Sequence, residues 1–472
     1  MSLKHGPGTW SIFSFTLTIN DWVDNSPAHR EIPVNVGIWC AYGQTLEPTE
    51  GIGVFAHELA RALADSPRVG DVWLAVHAGD EPAVATTLAA GGGKIHALAL
   101  TRLPLATRWR RKAVRWRHRR LARRLATARG EAEVANVAAA LRETEARAAA
   151  LQGLQEANPS TPLGPPAAGG CDVWLLPHVS LERRFAAATV VVVHDMVPLR
   201  AAGLVKPHDL ESFRRRSQAI TEEATLVGCM SRVIRDADVV GLLGCPAEKT
   251  RIVLPAVPAD LVESHAEPTA TARHAAAGKP YLFYPSAFRP YKNHALLIET
   301  AAALAGTPAA VDLVFTGDGR LPDDLARLAK RLGVAGRVHV LGRVPRGELA
   351  SLYRNATATI VPSRYEQGSF PLLEAMQWGS PVAASDIPAL REAFAPLGGA
   401  IPFFNPDDAC GLARIVAEIA ADREAVRAAQ RPGFEMLCRR NWQQVADEWI
   451  DVFVEAIRLH AATAPSAAAG MP

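Results

Sequence analysis

Two carboxylates, Glu366 and Glu374, stand with seven residues between them in Glu366-Gln367-Gly368-Ser369-Phe370-Pro371-Leu372-Leu373-Glu374. Gly368, Ser369 and Pro371 mark a loop turning into a helix, because Pro is favoured at the first helical position, where its missing N–H costs nothing. The apolar run at 358–361 before them reads as a buried strand. This arrangement predicts Glu366 on the loop and Glu374 in the first turn of a helix beginning near Pro371. The N-terminus of such a helix offers free N–H groups and a positive dipole end to an anion such as a diphosphate. Carboxylates beside a phosphate serve differently: they accept hydrogen bonds from the hydroxyls of a flanking ribose or hexose. The predicted ligand is therefore a nucleotide-sugar. The competing reading of Glu374 is an acidic residue that only complements the helix dipole.

Other residues could share that site. Arg289 and Lys292 lie on the strand-to-helix loop Pro285-Ser286-Ala287-Phe288-Arg289-Pro290-Tyr291-Lys292-Asn293-His294. An Arg offers phosphate a bidentate fork and a Lys a point charge; for both, solvated surface charge is the alternative. Gly51-Ile52-Gly53 opens a helical pattern after the strand-like run 34–39. Glycine there lets backbone approach a phosphate closely, or simply makes a tight turn for helix–sheet packing. The run 189–193 is β-branched and predicts a strand buried on both faces. It places His194 and Asp195 at its C-terminal end, where open α/β sheets hold ligands; a satisfied histidine at a strand end is the alternative. Asp236-Ala237-Asp238 is a literal D-x-D, but it falls in a helical pattern and reads as a solvent face, so no metal site is predicted.

The segment from Glu366 through Ala375-Met376-Gln377-Trp378-Gly379-Ser380-Pro381-Val382-Ala383-Ala384-Ser385-Asp386 resembles the E-x7-E region of the family 4 retaining glycosyltransferases, in a mannosyltransferase-like form. That family has the GT-B fold, two Rossmann-like doubly wound parallel-sheet domains facing a cleft. The resemblance covers about 34–460 apart from an insertion. It implies that Arg289 and Lys292 bind the donor phosphates, Glu366 the donor sugar near its reacting carbon, and Glu374 the ribose hydroxyls. It further implies that Gly51 and Gly53 face the donor phosphates and the acceptor, that Gly342 and Arg343 flank the base, and that His194 meets the donor sugar or acceptor hydroxyl. The family loop E-G-F-G-L-P is here Glu366-Gln367-Gly368-Ser369-Phe370-Pro371, so Gly368, Ser369 and Phe370 line the donor in altered form. The implied reaction moves a hexose from a nucleotide-diphosphate sugar, GDP-mannose favoured and a UDP-sugar as alternative, to a saccharide or lipid-linked saccharide. It retains anomeric configuration and uses no metal and no further cofactor, in cell-surface polysaccharide or glycoconjugate synthesis.

The elements that must position these residues follow from pattern. At 472 residues the chain exceeds one compact domain. Alternating strands and helices predict parallel sheets. The expected order is an N-terminal extension at 1–33 and a first Rossmann-like domain at 34–265, with a helical-hairpin insertion at 101–168. A linker at 266–279, a nucleotide-sugar domain at 280–430, a terminal helix at 431–460 crossing back to the first domain, and a disordered tail at 461–472 complete it. Net charge of +3 argues against wholesale nucleic-acid binding, and six scattered cysteines without metal spacing suit a reducing cytoplasm. No run reaches the ~18 apolar residues that span a bilayer, and the N-terminus lacks the basic start and cleavage site of a signal peptide.

The basic charge is local instead. Between Arg102 and Arg129 there are twelve Lys/Arg and no acidic residue, with Trp109 and Trp116 among them. Three readings stand: a surface for anionic lipid on the inner face of the cell membrane, a homo-oligomerisation arm, or a solvated helix. A different class of function, a non-catalytic GT-B scaffold binding RNA or a partner through this arm, sits poorly with the intact set Arg289, Lys292, Glu366 and Glu374. A sugar phosphorylase of the same fold has no support for its Lys-bound pyridoxal group.

Overall fold

A computed structural model describes residues 33–41, 51–100, 130–156, 170–179, 187–201, 207–258, 278–317 and 319–463, with 185 and most of 113–127. The N-terminal extension, most of the linker and of the tail, and the outer parts of the insertion (101–112 and 157–168) lie outside the described residues. The described residues from Pro33 onward belong to one compact unit.

Two parallel sheets organise it. The first contains β1 (Val34–Trp39), β2 (Val69–His77), β3 (Ile95–Leu100), β4 (Val173–Leu176), β5 (Ala188–Val193), β6 (Leu226–Cys229) and β7 (Thr250–Ile252), in the order β3-β2-β1-β4-β5-β6-β7. The second contains β8 (Tyr281–Pro285), β9 (Asp312–Thr316), β10 (Val338–Val340), β11 (Ala358–Val361), β12 (Val382–Ser385) and β13 (Phe403–Phe404), in the order β10-β9-β8-β11-β12-β13. Runs such as Ala-Thr-Ile-Val in β11 are buried at every residue, as strands covered by helices on both faces must be. Each sheet reverses its strand order once, beside β1 and beside β8. Ligands of open α/β sheets bind outside the carboxyl ends of strands at such switch points. In the second sheet those ends belong to β8 and β11, which lead into the loops of Lys292 and Glu366.

Eight helices matter to the argument: α1 (Gly51–Asp65), α2 (Glu131–Glu156), α3 (His294–Leu304), α4 (Arg346–Asn355), α5 (Phe370–Gln377), α6 (Pro388–Ala393), α7 (Arg423–Cys438) and α8 (Trp442–Thr463). The described residues of 113–127 are helical, and Gly130, at φ 93°, turns the chain into α2. Among the described residues no helix is long and apolar enough to cross a membrane.

The terminal helix departs from its predicted bounds. Residues from Arg431 to Cys438 belong to α7, which packs on α5 in the second domain. Only α8 lies on the first domain, and it runs to Thr463, three residues into the expected tail. Local capping explains the break. Asn441 Oδ1 accepts from the Gln444 backbone N–H at 2.9 Å, and Gln444 Oε1 accepts from the Asn441 N–H at 3.0 Å. This reciprocal capping box satisfies two donors that a continuous helix would have bonded elsewhere. Arg440 secures the crossing by donating to the Leu254 carbonyl in the first domain.

Candidate active site between the two sheets

The loops after β8 and β11 are tied together by side chain and backbone. Asn293 adopts the left-handed region at φ 57°, the one non-glycine residue to do so among those described. That strained turn lets its side-chain amide donate to the carbonyls of Pro362 and Pro406, at 3.1 and 2.8 Å. The Arg364 N–H donates to the Tyr291 carbonyl at 2.8 Å. Lys292 and Glu366, far apart in sequence, meet as a consequence at 2.5 Å. Ser363 donates to the same Glu366 oxygen at 2.7 Å, and Tyr284 lies 2.9 Å from Ser363. Burial disfavours the Lys292 ammonium, but the adjacent Glu366 carboxylate outweighs it and holds Lys292 above the ordinary lysine range. Arg289 stands exposed on the same loop and is not drawn to Glu366.

Glu366 precedes α5, whose start is Phe370 with Pro371 behind it. Glu374 is the fifth residue of α5, so it lies beyond the predicted first turn. The helix begins one residue earlier than the Pro signal implied. Glu374 is therefore no dipole complement at the mouth. Tyr353 of α4, itself fully buried, donates to it at 2.6 Å. Ser369 takes the N-cap position, yet its buried hydroxyl makes no cap bond and has no partner among the described residues. An unsatisfied hydroxyl at a helix N-terminus is a costly arrangement that a bound oxygen would relieve. Gly368 is exposed beside it.

The first domain supplies the opposing wall. A Cβ on Gly51 would sit 3.2 Å from the Phe370 ring, so the start of α1 abuts the start of α5; Gly53 is buried in the same turn. His194, after β5, packs edge-on against Phe55 of α1 at 5.1 Å. Burial, reinforced by His178, lowers its pKa to about 3, against the bond to the Pro177 carbonyl. That carbonyl can only accept, so the proton is assigned to Nδ1, and Nε2 is left as a bare buried acceptor. Burial, with Glu366 and Asp238 adding to it, raises the Asp195 carboxyl, against its bond from the Val197 N–H. Gly342, at φ 70°, and the exposed Arg343 follow β10. Gly342 accepts from the Gly317 N–H at 2.9 Å. A Cβ on Gly317 would in turn sit 3.2 Å from Ser286, so the loops after β8, β9 and β10 share one edge.

Two clamps close this wall onto the second domain. Tyr365 donates to Asp238 at 2.6 Å and accepts from the Met196 N–H at 2.9 Å, while Arg200 holds the other Asp238 oxygen at 2.6 Å. Asp238 is thus a buried, hydrogen-bonded carboxylate and not the solvent face that its helical pattern implied. The wide helical turn Ile234–Val240 rotates it inward. No group of three metal-ligating side chains occurs among the described residues. Glu392 of α6 accepts from the backbone N–H groups of Arg232 and Val233 at 2.7 and 2.9 Å, capping from across the interface. Tyr365→Phe leaves the Met196 N–H and a buried carboxylate short of a partner. We expect a loss of about 1–3 kcal/mol in denaturant unfolding; a change below about 0.5 kcal/mol would mean the clamp is idle.

Sequence reasoning placed no role on Ser363, Tyr284, Tyr353, Tyr365 or Glu392. Tyr284, Tyr353, Tyr365 and Glu392 are ordinary polar residues whose partners lie far along the chain, and Ser363, three residues before Glu366, belongs to no spacing that marks a site.

Comparison with known proteins bears on the fold and on the class of protein the chain is similar to. Residues 268–435 match the family model of glycosyl transferases group 1. An uncharacterized glycosyltransferase of Methanocaldococcus jannaschii is 31% identical over 150 residues, 31% of this chain and 38% of that protein. A D-inositol 3-phosphate glycosyltransferase of Catenulispora acidiphila is 28% identical over 280 residues, 55% of this chain and 66% of that one. The chain spans less than two thirds of the length of either relative. Among solved structures, Anabaena HepE in complex with UDP and glucose superposes with a TM-score of 0.56 at 16% identity, covering 89% of this chain and 99% of that one. The fold is GT-B: two Rossmann-like parallel-sheet domains.

Proposed function

We propose that the chain is a retaining, metal-independent hexosyltransferase that takes its sugar from a nucleotide-diphosphate donor. The carrying observation is the Lys292–Glu366 pair, held at the switch point of the second sheet and followed by the α5 N-terminus with its unsatisfied Ser369 hydroxyl. Breaking a sugar–phosphate bond places charge on the leaving diphosphate. Lys292, Arg289 and the amides of α5 supply the fixed positive groups that stabilise it. Lys292 pairs with Glu366. A bound diphosphate would draw it away and free Glu366 to accept from sugar hydroxyls. Glu374, steadied by Tyr353, holds the ribose, and the bare His194 Nε2 accepts from a hydroxyl of the donor sugar or acceptor.

The resemblance favours GDP-mannose; the HepE complex makes a UDP-sugar the competing donor. A thermal-shift series with UDP, GDP, ADP and dTDP in EDTA separates them, because ligand that binds only the folded state stabilises it by mass action. One nucleotide is expected to raise the midpoint in EDTA. No shift with any of the four, or a shift abolished by EDTA, would overturn the metal-free donor site.

The acceptor in this reading is a saccharide, lipid-linked where the basic arm meets a membrane. Within that arm Trp116 is 62% exposed, with the Arg120 guanidinium 5.5 Å from its ring. Each cation near an anionic surface contributes about 1 kcal/mol. Co-sedimentation is expected with vesicles containing acidic lipid and not with neutral ones; equal sedimentation with both would remove the membrane role.

A further inference from the structure

Where the C-terminal end of α5 meets α7 lies a cavity of about 460 Å³. It shares no residue with the site already described. Its floor includes two nearly buried aromatic side chains, Trp378 and Phe434, which are 5% and 7% exposed. Its rim is cationic, with Arg354 from α4, Arg427 and Arg431 from α7, and Arg439 just beyond α7.

Not all of this charge is spent internally. Arg427 pairs with Glu424 at 3.3 Å and Arg431 with Glu435 at 2.8 Å. Arg354 and Arg439 make no side-chain hydrogen bond or ion pair among the described residues. The opposing charge in the lining is Glu435 alone, which leaves a surplus of guanidinium groups around one opening. The Trp378 Nε1–H, buried in the same wall, also lacks an acceptor among the described residues. A buried indole N–H normally has a partner, so this wall carries a donor as well as the guanidinium groups. The negative end of the α5 dipole works against an anion here. It is weak because the last turns are satisfied: the Glu374, Ala375 and Met376 carbonyls accept from Trp378, Ser380 and Gly379 N–H groups.

We propose that this basin binds a small organic anion, a phosphate or carboxylate carried on a flat apolar body. The acid group would lie between Arg354 and Arg439, where planar guanidinium forks suit its oxygens. The apolar body would lie on Trp378 and Phe434, with an oxygen in reach of the indole N–H. A bare inorganic anion leaves that floor uncovered, and a neutral aromatic leaves the arginines unanswered. Both bind more weakly.

Calorimetric titration of the full chain with phenyl phosphate tests this, with inorganic phosphate and benzyl alcohol as comparators. Saturable one-to-one binding is expected, at least about tenfold tighter than either comparator. Arg354→Ala with Arg439→Ala, both at exposed positions, should weaken it at least about tenfold while the thermal midpoint stays put. Lys292→Ala and saturating UDP should leave it unchanged, since the donor site lies elsewhere. The proposal is overturned by the absence of saturable binding. It is equally overturned by binding that survives the double arginine substitution, or that disappears with Lys292→Ala or under UDP.

Discussion

If the chain carries out the proposed transfer, Lys292→Ala is expected to lower it by about 10²–10³-fold, the loss of about 2.7–4 kcal/mol that follows removal of one fixed group facing developing transition-state charge. The fall belongs in kcat more than in KM, because the diphosphate carries its extra charge only as the sugar leaves. Stability moves as well. Glu366 is 10% exposed at its side chain and would lose its cation, and stranding one partner of a buried pair is costly. Two controls separate the effects. Lys292→Arg keeps the charge and should recover part of the rate. Lys292→Ala combined with Glu366→Gln removes the stranded carboxylate and should recover thermal stability without recovering rate. The pair also has a pH signature. A lysine raised by its partner contributes stability that is fully present below its unfolded pKa of about 10.4 and lost as pH rises through the folded value. The folded protein should therefore lose this contribution only in alkaline solution. Transfer by Lys292→Ala within tenfold of wild type would sink the assignment of this site.

Much of this site is legible in the sequence because its loops follow elements that announce themselves. A parallel strand covered on both faces must be a continuous apolar run, and 189–193 and 358–361 are such runs. Their C-terminal ends therefore point to His194 and Glu366 on pattern alone. What pattern could not supply was who touches whom. Lys292 reaches Glu366 because Asn293 accepts a left-handed conformation, and nothing in the neighbouring sequence demands that. Tyr365 reaches Asp238 only after the second domain is set against the first, which is a matter of tertiary packing. The misplacement of Asp238 has the same source. A 3.6-residue period put it on a solvent face, and the wide turn Ile234–Val240 shifted that face inward. The break before α8 was different in kind, since Asn441-Trp442-Gln443-Gln444 carries a capping signature in plain view. The amphipathic period on either side of it masked the stop.

The packing that sets the two domains in register makes the second large prediction. Trp449 is fully buried at the centre of the α8 face that lies on the first sheet. Its ring is 5.9 Å from Phe55 of α1 and 5.9 Å from Phe453. Gly228 of β6 exists to admit it, because a Cβ there would stand 2.2 Å from the indole edge. Trp449→Ala empties this space and should cost about 3–5 kcal/mol, a large share of the roughly 5–15 kcal/mol that holds a domain together. Gly228→Ala should destabilise by overpacking, about 1–3 kcal/mol, since a rigid indole cannot move aside as a flexible side chain would. Trp449→Phe discriminates cavity from polarity. The indole N–H has no partner among the described residues, so Phe keeps most of the contact and discards an unsatisfied donor. The expected order of unfolding midpoints is wild type, then Trp449→Phe, Gly228→Ala and Trp449→Ala. The consequence reaches the site, because α8 is the element that carries the chain of the second domain back onto the first. Loosening it lets the contact of Gly51 with Phe370 and the Tyr365–Asp238 clamp open together. Trp449→Ala should then weaken nucleotide-dependent stabilisation although it touches no ligand-facing residue. An unfolding free energy for Trp449→Ala within about 1 kcal/mol of wild type would show that the domains are held in register by something other than α8.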